Sequence, residues 1–220
     1  MQRMHVMLRV SDLEQSIAFY TAALLDLLSV ESRPEYLENA IKYADFMLQH
    51  FWDEKECNLF FTSDDHEQLI VRTKNFYDLA IPSGNSVAAS NLLRLYHYTQ
   101  NGDYLEKATQ IMKAGTRPAA ENPFGFGQLL VAIYLNVKKP VEVMVIERGK
   151  MSKWLNSIFL PDGITAVVER KDLPLLDKYG FFKGRSVQAG EAAFVCRNFT
   201  CSLPIKSQQE LASQLGITPA

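Results

Sequence analysis

Apolar positions recur at helical spacing over much of the first two thirds of the chain. Leu13, Ile17, Ala18, Tyr20, Leu24, Leu25, Leu27 and Leu28 mix steps of three and four, which places them on one face of an amphipathic helix. Tyr36, Leu37, Ala40, Ile41, Ala44, Phe46, Met47 and Leu48 repeat the pattern. Capping boxes open both runs, Ser11 with Glu14 and Ser32 with Glu35, and Pro34 sits in the first turn where its missing N–H costs nothing. Further helices are expected at about 86–100, 103–114 and 121–137. Asn101-Gly102-Asp103 turns between the first two, and Gly125 and Gly127 weaken the third.

The helical pairs repeat. A shift of 68 residues lays Leu24, Leu25 and Leu27 on Leu92, Leu93 and Leu95, Tyr36-Leu37-Glu38 on Tyr104-Leu105-Glu106, and Ala40 on Ala108. One helix pair cannot bury its apolar face alone, so such hairpins stack into solenoids or closed toroids. Period-two and continuous apolar runs mark strands instead: 4–10, 58–62 and 69–72, then 141–146, 163–169 and 192–196. A helix at 151–159 between two of these makes a βαβ unit, expected to be parallel and right-handed. Ser207-Gln208-Gln209-Glu210 caps a last helix that ends near Gly216. The expected fold is mainly α: an αα-hairpin array forming part of an α/α barrel over 22–138, a small α/β appendage over 139–220, and a separate head at 1–21. Such a partial barrel leaves apolar helix faces open, so self-association is an expectation.

Composition narrows the function classes. The chain has 220 residues, 47% of them hydrophobic and 11% aromatic, as in an ordinary globular core. A net charge of −2 gives no reason to expect nucleic acid or an anionic membrane as partner. No apolar run approaches the ~20 residues of a membrane span. No leader with a cleavage site is seen, and three cysteines, an odd number, suit a reduced, cytoplasmic setting.

Candidate chemistry concentrates in residues 64–86. Asp64, Asp65 and His66 form a dense polar loop whose carboxylates and imidazole suit acid–base work on a sugar hydroxyl, as in epimerisation or glycoside hydrolysis. Arg72 and Lys74 suit a carboxylate or phosphate. Asp78, Ser83, Asn85 and Ser86 lie where the turn Pro82-Ser83-Gly84 opens into an apolar helix, a place that orients polar ligands. The same groups equally suit a structural role, with the aspartates closing turns, Arg72 satisfying them, and the serines and Asn85 capping the helix. His50 and His97 fall within helical patterns, as packing or surface residues. Cys196 and Cys201 have neither the CxxC spacing of a redox motif nor the partners of a zinc site. They read as buried small apolar groups, or as a reversible disulfide if a strand-turn brings them together. Glu147-Arg148-Gly149-Lys150 is too short a signal for a nucleotide loop. No metal or cofactor is implied.

From about Ala22 to the C-terminus the chain resembles the spermatogenesis-associated, thioredoxin-domain family, whose bacterial members are the YyaL-type proteins. The matching residues are Phe60-Phe61-Thr62-Ser63-Asp64-Asp65-His66-Glu67, Leu69-Ile70-Val71-Arg72, Tyr77-Asp78, Pro82-Ser83-Gly84-Asn85-Ser86-Val87-Ala88, and Phe194-Val195-Cys196-Arg197-Asn198-Phe199-Thr200-Cys201 with Pro204. The resemblance implies a six-hairpin α/α barrel, similar in architecture to N-acylglucosamine 2-epimerases and some glycosidases, of which this chain matches a C-terminal part. It also implies a role in carbohydrate binding or conversion, or, alternatively, a noncatalytic module that partners a thioredoxin-like domain. Residues 4–21 resemble instead the start of lactoylglutathione lyases, in which the histidine of the first strand, here His5, ligates a metal. The further ligands and the repeated βαβββ units of that family do not follow.

Overall fold

A computed structural model of the chain describes residues 13–65 and 71–217. The strand expected at 4–10, the Ser11 cap, His5, and residues 66–70 with His66 lie outside the described residues. The helices appear in the expected order: α1 (Leu13–Val30), α2 (Pro34–Phe51), α3 (Gly84–Thr99), α4 (Gly102–Glu121) and α5 (Gly127–Lys138). α1, α3 and α5 pack side by side, and α2 and α4 return alongside their partners. The repeat has a physical basis, since Ala40 and Ala108, at equivalent positions of α2 and α4, are both fully buried. α1 runs unbroken through residue 21, with Ala18 and Thr21 buried and the Ala18 carbonyl accepting from Asn91 Nδ2 at 2.8 Å.

Local departures from expectation each have a cause. Ser32 does not cap α2. Its hydroxyl donates to the Leu28 carbonyl at 2.6 Å and closes α1, while Arg33 holds the cap position without a side-chain bond. The strand expected at 58–62 shortens to β2 (Asn58–Leu59), paired antiparallel with β1 (Trp52–Asp53). Beyond it Phe60 and Phe61 donate singly to Phe51 and Thr73 carbonyls, so no ladder forms, and Val71 and Arg72 are irregular. α4 continues past residue 114 through Pro118 to Glu121. Packing is tight along this extension: a Cβ on Gly115 would meet Leu129 Cδ2 at 2.3 Å and the Phe76 ring at 3.2 Å, so a larger residue there would have to displace those side chains. Pro123–Gly125 forms a 3₁₀ turn, which delays α5 to Gly127.

The last third builds a four-stranded sheet from β3 (Val141–Ile146), β4 (Gly163–Val168), β5 (Ala192–Arg197) and β6 (Thr200–Cys201), in the order β4-β3-β5-β6. β3 and β4 are parallel, joined through α6 (Lys150–Leu155), while β5 and β6 add antiparallel. Alternation decides the two faces. Met144, Ile146, Ile164, Ala166 and Val168 join the core of the helical array, whereas Val143, Val145, Val167 and Val195 pack with α6 and α8 (Gln208–Leu215). The sheet and the helices therefore share one core. α7 (Leu173–Leu176) leads into Phe181 and Phe182, which close that core against Tyr98. As expected, Ser207 caps α8 by accepting from Glu210 N, and Gly216 ends it with φ 70°. No described helix is long and apolar enough to cross a membrane. Phe19, Leu27, Val30 and Ile81 remain exposed beside α1 and α3.

Tyr98 links array and sheet, its hydroxyl donating to the Thr165 carbonyl at 2.7 Å. Burial pushes this phenol up to about 12. The neutral form is the one the fold favours, so its contribution is present below pH ~10 and is lost as pH rises towards ~12. A two-unit shift corresponds to about 2–3 kcal/mol. Urea unfolding of the wild type at pH 9 and 11 is expected to show a loss of about 1–1.5 kcal/mol from this group. Tyr98→Phe should lack that component, and an unchanged pH dependence in the variant would refute the assignment.

Candidate functional site

The polar groups of 64–86 are placed by, and largely engaged in, the connection between the two helix pairs. Ser83 is the N-cap of α3: its Oγ accepts from Ser86 N at 3.1 Å and lies 2.8 Å from Ser86 Oγ. Asp78 accepts from Ser83 N through Oδ1 and from Gln128 N through Oδ2, both at 2.8 Å, so one carboxylate joins the starts of α3 and α5. Asn85 is fully buried, accepting from Leu59 N (2.8 Å) and donating to the carbonyls of Leu59 (2.9 Å) and Asn75 (3.1 Å). Arg72 donates to the carbonyls of Thr62 and His50, each at 3.1 Å, with its guanidinium 4.1 Å from the Phe60 ring centre. Lys74 pairs with Asp53 and, at 2.6 Å, with Glu56. Burial pulls this ammonium down, but the two carboxylate bonds outweigh it and leave it above its ordinary value. Asp64 and Asp65 are exposed. Asp64 meets His50 Nδ1 at 2.8 Å, and that hydrogen bond holds its carboxyl below the usual range. Ligand atoms of His50, Asp64 and Asp65 all lie within 4.8 Å of one another, a spacing that can hold a divalent cation.

A second constellation lies further along the chain. α3, the α5–β3 junction and the β5–β6 hairpin enclose a cavity of about 310 Å³. At its foot His97 Nδ1 meets Glu142 Oε1 at 2.8 Å, with the two residues only 7% and 3% exposed. His97 is thus not a surface residue, and it is paired with a buried carboxylate. A carboxylate acceptor holds Nδ1 as the protonated nitrogen, which directs the other ring nitrogen, Nε2, to act on a ligand. Among the described residues Nε2 makes no hydrogen bond. Tyr96, Asn136, Lys139, Asn198 and Phe199 complete the wall. The Phe199 ring stacks on His97 at 6.0 Å and meets the edge of Tyr96 at 5.8 Å.

The backbone around this cavity is unusual. Lys139, Asn198 and Phe199 have φ of 57°, 50° and 61°, half of the described non-glycine residues in the left-handed region. Two successive such residues make the hairpin turn that suits the twist of paired strands, and Asn accepts it readily. Phe at the second position costs on the order of 1 kcal/mol or more. Its ring is seated against His97 and Tyr96, which offsets that cost. Strain of this kind clusters at functional sites. One sequence signal pointed here: Glu142 is the lone charge in the apolar run Val141-Glu142-Val143-Met144-Val145-Ile146, and a buried strand carries a charge only with a partner.

No family model matches the chain. It is similar to spermatogenesis-associated protein 20. The human protein of that name is 26% identical over 210 residues, which cover 91% of this chain and 27% of the human protein. The rat protein is 26% identical over 215 residues, with the same coverage of both chains. An uncharacterized protein of Caenorhabditis elegans is 27% identical over 205 residues, covering 88% of this chain and 27% of its own. The chain therefore spans about a quarter of the length of these relatives.

The same hairpin holds the cysteines. Cys196 and Cys201 stand directly opposite each other in the β5–β6 register and form a disulfide, where sequence spacing favoured two separate buried thiols. The two-residue turn at Asn198-Phe199 explains the difference, because it folds an x4 spacing into cross-strand neighbours. Cys57 is free. The first turn of α6 accepts no phosphate: both oxygens of Glu191 already receive the Met151 and Ser152 N–H groups at 3.0 and 2.8 Å.

Proposed function

We propose that the chain binds a small polyhydroxylated ligand of monosaccharide size in the cavity above His97 and Glu142, with His97 as the acid–base group. The buried His97–Glu142 pair at the foot of a cavity with amide and aromatic walls carries this reading. Asn136 and Asn198 offer donors and acceptors to hydroxyls, Phe199 and Tyr96 offer faces to C–H groups, and about 310 Å³ suits one sugar ring. A carboxylate-oriented imidazole takes a proton from a hydroxyl or returns it to one, the step that epimerisation and glycoside cleavage both need. The row of α1, α3 and α5 with α2 and α4 returning outside supports reading the array as a segment of an α/α barrel.

Thermal shift with a panel of neutral sugars and sugar phosphates tests the proposal, because a ligand that binds only the native fold raises Tm by mass action. The expected result is a shift with one sugar class that is lost in Glu142→Gln and kept in Asp65→Ala/Arg72→Ala. A shift lost only in the second variant would move the site to residues 64–86. No shift with any sugar would overturn the carbohydrate reading.

A further inference from the structure

We propose that Cys196–Cys201 is a thiol–disulfide exchange site that is reduced by a dithiol, with Cys201 as the sulfur attacked and Cys196 as the leaving thiolate held by Arg185. Four observations carry this. First, the two sulfurs differ in access: Cys196 is fully buried, whereas Cys201 lies exposed on the short edge strand β6. Second, Arg185 Nη2 points at both, 3.1 Å from Cys196 Sγ and 2.9 Å from Cys201 Sγ. A neutral disulfide sulfur is a weak acceptor, so a guanidinium aimed there is poorly used while the bridge is closed. Third, the other terminal nitrogen of the same group, Nη1, is buried without any hydrogen-bond partner. Fourth, no described carboxylate is bonded to Arg185: it lies over the Phe181 ring at 5.1 Å, and the carboxylate charge that reaches it is that of Glu142, the direct neighbour of Cys196 in the β3–β5 register.

A desolvated cation short of anionic partners gains one when the bridge opens. Burial already pulls the Arg185 guanidinium below its ordinary value, in the direction expected for an under-compensated cation. A thiolate formed at Cys196 supplies the missing charge. Stabilising that thiolate makes it a better leaving group, and leaving-group quality sets the exchange rate.

The step balances as follows. One thiolate of the dithiol attacks Cys201 Sγ, the Cys196–Cys201 bond breaks, and its electron pair leaves with Cys196. The second thiol of the dithiol then gives up its proton and attacks its partner sulfur in the mixed disulfide. The reagent departs as a cyclic disulfide, and Cys201 is released as a thiolate. The chain gains two electrons and the dithiol loses two. Protons equal in number to those the dithiol gives up are available to the two cysteines, and the Cys196 thiolate remains paired with Arg185 for as long as it stays ionised.

The experiment uses the full chain with dithiothreitol and glutathione as probes, read by intact mass after maleimide labelling. One label is expected on the untreated denatured chain, at Cys57, and three after dithiothreitol. Arg185→Met is expected to slow reduction about tenfold, and Arg185→Lys, which keeps the charge, to restore part of the rate. In a Cys57→Ser background, oxidised glutathione is expected to cap Cys201 in Cys196→Ser at least about tenfold faster than it caps Cys196 in Cys201→Ser. Circular dichroism of each variant controls for folding. Three labels before any reductant, persisting after oxidised glutathione, would overturn the proposal. So would wild-type reduction kinetics in a folded Arg185→Met, or faster capping of the buried cysteine.

Discussion

Replacing Asn85 by alanine is expected to lower the unfolding free energy by about 2–4 kcal/mol, a loss that would threaten a domain of ordinary stability. Asn85 sits in the first turn of α3, fully buried, yet its side chain serves another segment. Its oxygen accepts from Leu59 N, and its amide hydrogens go to the carbonyls of Leu59 and Asn75. Truncation strands three backbone groups at once, each costing on the order of 1 kcal/mol or more when water cannot replace the partner. Asn85→Asp makes a sharper test. It keeps the shape and the acceptor, removes both donors, and faces two carbonyls with a charge, so it should be at least as damaging. Urea unfolding read by fluorescence measures both. A loss below about 0.5 kcal/mol in Asn85→Ala would show that the site admits water and that the bonds contribute little. Ser86 differs from Asn85 in this respect. Ser86 donates its N–H to the Ser83 cap, and Ser86→Ala leaves that bond in place.

Helix pairing was legible because it rests on local, periodic information. The helical spacing of Leu24, Leu25 and Leu27, and its echo in Leu92, Leu93 and Leu95, marks α1 and α3 without knowledge of any partner. The apolar runs at 141–146 and 163–168 are equally plain, as is the helix that must join them if they are parallel. What escaped was decided by tertiary contact. Phe60 and Phe61 have the composition of a strand, yet their N–H groups find single carbonyls at Phe51 and Thr73, and among the described residues no strand pairs with them. The helix expected at 103–114 runs on through Pro118 to Glu121, with Gly115 packed against Leu129 and Ala119 buried.

The candidate sites divide in the same way. Residues 64–86 stand out in sequence because polar, turn-forming residues cluster there, and the cluster does hold one hairpin to the next. Sequence cannot tell whether a carboxylate such as Asp78 faces a ligand or two helix N-termini, because both uses require the same residue. The His97–Glu142 pair is separated by 45 positions in sequence. His97 lies in a helix and Glu142 in a strand, and no periodicity links them. Cys196 and Cys201 were readable as neighbours only through Asn198-Phe199, a turn whose second residue is usually glycine.

Glu142→Ala is expected to cost about 1–3 kcal/mol, because it leaves the buried Nδ1–H of His97 without its acceptor. Glu142→Gln keeps an acceptor opposite His97 Nδ1 and should cost only about 1 kcal/mol. The informative variant is the double replacement His97→Leu/Glu142→Met. A buried hydrogen-bonded pair exchanged as a whole for apolar groups of similar shape is often nearly neutral. The double variant should therefore recover most of the loss and stand within about 1 kcal/mol of wild type, while sugar-dependent thermal shifts disappear. That outcome would mean that the pair is held in place against the interest of stability, as expected of acid–base machinery. If the double variant is instead as unstable as Glu142→Ala, His97 and Glu142 serve as a structural tie between α3 and β3. The cavity above them would then have no claim to chemistry, even if it still bound a ligand.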